Sequence, residues 1–102
     1  MKRMAVLAMM LLAATQAKAL EMVAANVSVV ESSYMPATVT FMLTSGTALC
    51  PSGRWLVWQR DAENNKAVYA MLMSAMVSGK KVNVYFDEGD SQCVPKHLHL
   101  IG

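Results

Sequence analysis

Apolar and polar positions along this chain change period several times. Residues 38–44 (TVTFMLT) alternate: Val39, Phe41 and Leu43 point one way, and Thr38, Thr40, Met42 and Thr44 the other. That period of two, with β-branched and aromatic residues, predicts a strand. Residues 26–31 (NVSVVE) predict a shorter strand before it, with 32–36 (SSYMP) as the turn between them. A loop over 45–53 holds Gly46, Cys50, Pro51 and Gly53, and a third strand follows over 55–59 (WLVWQ). The period then becomes helical over 66–78 (KAVYAMLMSAMVS). Asp61 or Asn64 is suited to cap that helix, and Gly79 to stop it, with Lys80 and Lys81 near its negative end. Residues 82–86 (VNVYF) and 96–101 (KHLHLI) predict the last two strands, and Asp87, Glu88, Gly89 and Asp90 a turn after the first of them.

The order is strand, strand, strand, helix, strand, strand. It predicts a mainly β, α+β fold with one helix, laid out as a five-stranded oligonucleotide/oligosaccharide-binding barrel (OB fold). A short open sheet with one helix across it is the structural alternative.

The helix carries a single charge, Lys66. Val68, Leu72, Ala75 and Met76 share one face, with Tyr69 at its edge, and read as a core stripe. The opposite face is Ala67, Ala70, Ser74, Val77 and Ser78, flanked by Met71 and Met73. A surface helix usually shows solvent a row of charges there. Ala70, Met73, Ser74 and Val77 are therefore candidate contacts with a second copy or another protein. The methionines read as adaptable packing rather than a copper box.

The first residues change the charge picture. Lys2 and Arg3 precede an apolar run over 4–14 that is too short to span a bilayer, and Ala17-Lys18-Ala19 has the form of a signal-peptidase site. A signal peptide over 1–19 and a single domain over 20–102 are expected, with secretion to the periplasm or beyond and no membrane span. The full chain is formally +2. Lys2, Arg3 and Lys18 leave with the leader, so six basic residues face seven acidic ones, a net of about −1. No clustered basic surface points to nucleic acid. The two cysteines, Cys50 and Cys93, have one intramolecular pairing open to them, and an oxidising compartment favours that disulfide.

Residues 67–93 (AVYAMLMSAMVSGKKVNVYFDEGDSQC) and the trailing HLHLI carry a resemblance. This helix–glycine–strand–cysteine–strand unit resembles that of bacterial AB-type toxin B subunits, of the Shiga toxin and subtilase cytotoxin kind. The resemblance implies an OB-fold barrel, a ring of five copies whose helices line a central pore, and glycan recognition on the barrel surface. In Shiga-type subunits the first cysteine lies near the mature N-terminus; here Cys50 precedes the third strand, so that part of the arrangement does not carry over. No glycan-binding residue of the family maps onto this chain.

Catalytic signatures are missing: the chain has no phosphate-binding loop, no Gly-x-Ser-x-Gly and no His-Glu-x-x-His. No enzyme activity, cofactor or metal is assigned. His97 and His99 share a strand face; metal ligation with Asp87 or Asp90 is the sharper reading and a solvent-facing strand edge the commoner one. Asp87, Glu88 and Asp90 read as a solvated turn rather than a calcium loop.

Trp55 and Trp58, three apart in a strand, should face opposite sides, one filling the core and the other free to stack on a sugar or a partner. Arg54 and Arg60 flank that strand, and Tyr34 and Tyr85 are weaker candidates for the same site. Both tryptophans in the core or an interface is the plainer alternative. The sequence thus points to a secreted binding protein that recognises glycan or protein as a homo-oligomer, for which the toxin resemblance implies a pentamer. A monomeric periplasmic OB-fold binding or inhibitor domain with a protein partner is the competing reading.

Overall fold

The computed structural model describes residues 19–102. The leader read over 1–19 lies, apart from Ala19, outside the described residues. The elements are β1 (Leu20–Ala25), β2 (Val27–Glu31), β3 (Val39–Leu43), β4 (Leu56–Trp58), α1 (Ala62–Ser78), β5 (Val82–Asp87) and β6 (His97–Leu100). They form two antiparallel three-stranded sheets, β1–β5–β6 and β2–β3–β4.

The fold is mainly β with one helix, as expected. The five-stranded barrel is corrected: there are six strands, and the two sheets do not close into a barrel among the described residues. The additional strand is β1 (LEMVAA), whose Met, Ala and Glu content has little intrinsic strand preference. It becomes a strand because all six of its residues pair with β5, from Leu20 opposite Asp87 to Ala25 opposite Val82. That pairing spans more than half the chain and leaves no local signature.

Asn26 alone separates β1 from β2, and there the chain crosses from one sheet to the other. Its carbonyl accepts the Thr44 N–H at 2.9 Å, its own N–H donates to Thr44 Oγ1 at 3.2 Å, and its side-chain amide donates to the Gly79 carbonyl at 2.9 Å. The corner is thereby tied both to β3 and to the end of α1.

Between the sheets lies one core. Val23 and Ala25, Val39, Phe41 and Leu43, Leu56 and Trp58, and Val82, Val84 and Phe86 enter it at alternate strand positions, with Leu98 from β6. Val68, Leu72 and Ala75 enter from α1. Tyr69 and Met71 pack partly buried against this cluster. Met76, expected on the core stripe, is 36% exposed. Ala75 beside it is buried, so Met76 falls on the rim of the buried stripe.

The helix begins four residues earlier than its apolar period, at Ala62. Asp61 is the N-cap and accepts the Asn64 N–H at 2.9 Å, which satisfies a donor that the first turn leaves free. Gly79 ends α1 in the left-handed conformation, φ 71°, which costs glycine no Cβ clash. Cys50 and Cys93 form the expected disulfide, joining the loop before β4 to the loop before β6. Closing a 43-residue separation stabilises by about 4 kcal/mol in the chain-entropy model. No helix among the described residues is long and apolar enough to cross a membrane.

Asn65 is the polar residue at the centre of the packing, 0% exposed and one turn ahead of Val68 on the buried stripe. Its Oδ1 accepts the Arg60 N–H at 2.9 Å. Its Nδ2 donates to the carbonyls of Pro36, Ala37 and Arg60 at 2.8, 3.0 and 3.1 Å. Two amide hydrogens thus serve three acceptors, and Oδ1 takes one donor, so both ends of the amide are partnered. Asn65→Ala would remove the side-chain partner of four backbone groups at Pro36, Ala37 and Arg60, at a net cost of about 0.5–1.5 kcal/mol for each bond lost. Urea denaturation should show a loss of at least about 2 kcal/mol, and a variant within 1 kcal/mol of wild type would contradict this role.

Candidate functional site

The outer face of the β2–β3–β4 sheet is built by register. Glu31 pairs with Thr40 and Thr40 with Val57, so the three form one row across the sheet. Val29 and Met42 pair in the next row. Trp55 stands two residues before Val57, so its indole emerges on Val57's side of the strand. Leu56 and Trp58 take the core side. Tyr34 reaches the same face from the 32–37 turn, in which the Ser32 carbonyl accepts the Met35 N–H and the Tyr34 carbonyl accepts those of Ala37 and Thr38.

Glu31, Tyr34, Thr40, Trp55 and Val57 line a surface pocket of about 300 Å³. Trp55 is 47% exposed and Tyr34 63%. The pocket therefore offers an indole face, a phenol and a carboxylate, with an apolar floor at Val57. Thr40 is nearly covered, at 8%.

Glu31 is held ionised. The Ser33 hydroxyl, and next its backbone N–H at 2.9 Å, donate to its carboxylate and hold its pKa below the ordinary carboxylate value. The same bonds fix the start of the turn that carries Tyr34.

The sequence candidates divide. Trp55 and Trp58 do face opposite ways, and Trp55 is the outward one. Trp58 offers no stacking surface: it is 6% exposed, its Nε1–H donates to Asn64 Oδ1 at 2.8 Å, and the Arg60 guanidinium lies 4.4 Å from its ring centroid. Arg60 is occupied by that contact and by bonds to the Gln59 and Lys96 carbonyls. Arg54 is half-buried and donates to the Leu49 carbonyl at 3.2 Å. Neither arginine lines the pocket. Tyr34 joins Trp55, whereas Tyr85 lies on the other sheet. Glu31, Thr40 and Val57 were missed. Their alternation was readable, but their meeting depends on strand register.

Ala70, Ser74 and Val77 are exposed on α1, Val77 at 84%, and Met73 is half-buried beside them. The charges of this helix sit near its start, where Lys66 and Glu63 approach to 3.7 Å. Asp90 is committed to its loop, accepting the N–H groups of Gln92 at 2.8 Å and Val94 at 3.0 Å. The described residues hold no group of three or more His, Cys, Asp or Glu placed for a metal ion. Compared with protein-family models, curated proteins and solved structures, the chain matches none.

Ser33→Ala removes the larger of the two donors to Glu31. The Glu31 carboxyl should then titrate at higher pH than in wild type, nearer an ordinary glutamate, in a carbon-detected NMR titration. A lowered folded-state pKa gives stability that is full above the unfolded-state value and lost as pH falls through the folded one. Acidification should therefore loosen the 32–37 turn in wild type, and an unchanged Glu31 titration in the variant would contradict the assignment.

Proposed function

We propose that this chain is a secreted, non-catalytic binding protein of the toxin-B-subunit kind, which holds a neutral glycan against Trp55. The observation that carries this reading is the pocket of about 300 Å³ in which Trp55 and Tyr34 stand beside an ionised Glu31. A sugar presents a C–H face that packs on an indole, and hydroxyls that donate to a carboxylate. The fixed negative charge disfavours an acidic sugar at the same place.

The connectivity supports an OB-fold reading. Taken as one bent strand, β1 and β2 pair with β5 through the first half and β3 through the second, while β4 and β6 remain unpaired with each other. In that count the pairing order resembles an OB fold left open between β4 and β6, with two sheets in place of a closed barrel. The outer face of β3–β4 and the turn leading into β3 are where such folds bind oligosaccharides. Secretion is supported by the leader-like residues and by a disulfide, which persists in oxidising compartments.

Self-association through Ala70, Met73, Ser74 and Val77 completes the proposal. An uncharged face with Val77 84% exposed is costly to leave in water. Coverage by a second copy accounts for it, as the toxin resemblance implies.

Two experiments test these statements separately. On a glycan array followed by calorimetry, Trp55→Ala should weaken binding at least about tenfold without loss of folding; unchanged binding would refute the pocket. Light scattering after size exclusion should give a closed oligomer for wild type and a smaller, folded species for Ser74→Glu. An oligomer that survives Ser74→Glu would refute the helix contact, and a wild-type monomer would give that face to a different protein.

A further inference from the structure

The other sheet carries a separate group of chemistry-bearing side chains. His97 and His99 alternate on β6, so both imidazoles stand exposed on the outer face of β1–β5–β6 while Leu98 enters the core. Their partners across the ladder are Tyr85 and Asn83. The Tyr85 ring centroid lies 6.2 Å from that of His97 and 5.2 Å from that of His99. With Leu20 these rings line a surface pocket of about 290 Å³.

Neither imidazole hydrogen-bonds to the described residues, so their ring nitrogens are open to a ligand. Asn83 Oδ1 is also without a donor although it is out of water, and Asn83 is the residue directly opposite His99. A carbonyl oxygen in that condition costs free energy until it receives an N–H. A histidine that ligates a metal through one nitrogen turns its other N–H toward such an oxygen.

We propose that His97 and His99 clamp a divalent first-row transition ion of the zinc or copper class, with Asn83 as the positioning residue that accepts the remaining ring N–H of His99. Two residues along a strand span about 6.6 Å. Two imidazoles on that span can converge on one ion at metal–nitrogen distances of about 2.0–2.1 Å. Imidazole suits zinc, copper and nickel, and water fills the other positions. Asp87, at the end of β5, approaches Lys96, the residue before His97, to 3.8 Å and offsets that cation. With two protein ligands the ion is exchangeable and its affinity modest.

Zinc chloride titrated into the purified protein, followed by calorimetry and histidine-ring NMR, tests this. One ion per chain is expected, with both imidazoles shifting together and the ring-nitrogen shifts of His99 reporting one protonated nitrogen. His97→Gln and His99→Gln should each weaken binding at least about tenfold, and Asn83→Leu about tenfold with both ligands retained. Thermal unfolding confirms that each variant folds. Absence of saturable binding up to about 1 mM zinc, or unchanged affinity in the double His97→Gln/His99→Gln variant, would overturn the site. Unchanged affinity in Asn83→Leu would overturn the positioning role.

Discussion

A single buried amide ties the packing of this protein to its surface. Asn65 has no exposure and partners both ends of its amide with the backbone of two other segments. Toward Arg60 it fixes the junction between β4 and α1, which sets the Arg60 guanidinium over the Trp58 ring. Toward Pro36 and Ala37 it fixes the turn that holds Tyr34 beside Trp55. Removing a buried polar group from water is unfavourable, and only a complete set of partners offsets it. The helix start, the orientation of β4 and the rim of the pocket are therefore coupled through one side chain.

Around this core the surface falls into regions with different chemistry. The β2–β3–β4 face combines aromatic surface with a fixed carboxylate at Glu31. The β1–β5–β6 face sets two imidazoles around Tyr85. The outward side of α1 is small and uncharged beyond its first turns. One core serves all three, because each strand sends alternate residues inward and each face is assembled from the remainder. The disulfide joins the two loops that precede β4 and β6, one strand from each sheet, and so limits how far the two sheets can separate.

Much of the fold was legible locally. The alternation at Val39, Phe41 and Leu43, the helical stripe at Val68, Leu72 and Ala75, and the stop at Gly79 follow from periods of two and 3.6 residues and from glycine's conformational freedom. The Cys50–Cys93 bridge followed from the number of cysteines. The early helix start at Ala62 was less visible, since its first turn is polar and rests on the Asp61 cap. Strand β1 was not visible, because Leu20 to Ala25 become a strand only against β5. The candidate site was half legible. Trp55 and Trp58 had to face opposite ways, but either could have been the outward one. Arg54 and Arg60 were plausible neighbours in sequence, yet their guanidinium groups are drawn to the Leu49, Gln59 and Lys96 carbonyls and to the Trp58 ring.

By itself the amino-acid sequence determined the elements whose order is local: the periodic strands, the helix with its cap and stop, and the partner of each cysteine. Side-chain periodicity and backbone propensity act over a few residues and can be read along the chain. Tertiary structure decided which strands share a sheet, which tryptophan is buried and which side chains meet Trp55. Those outcomes depend on register between segments far apart in sequence, where a shift of one residue exchanges the buried and exposed faces. Glu31, Thr40 and Val57 form one row solely because their three strands pair in that register.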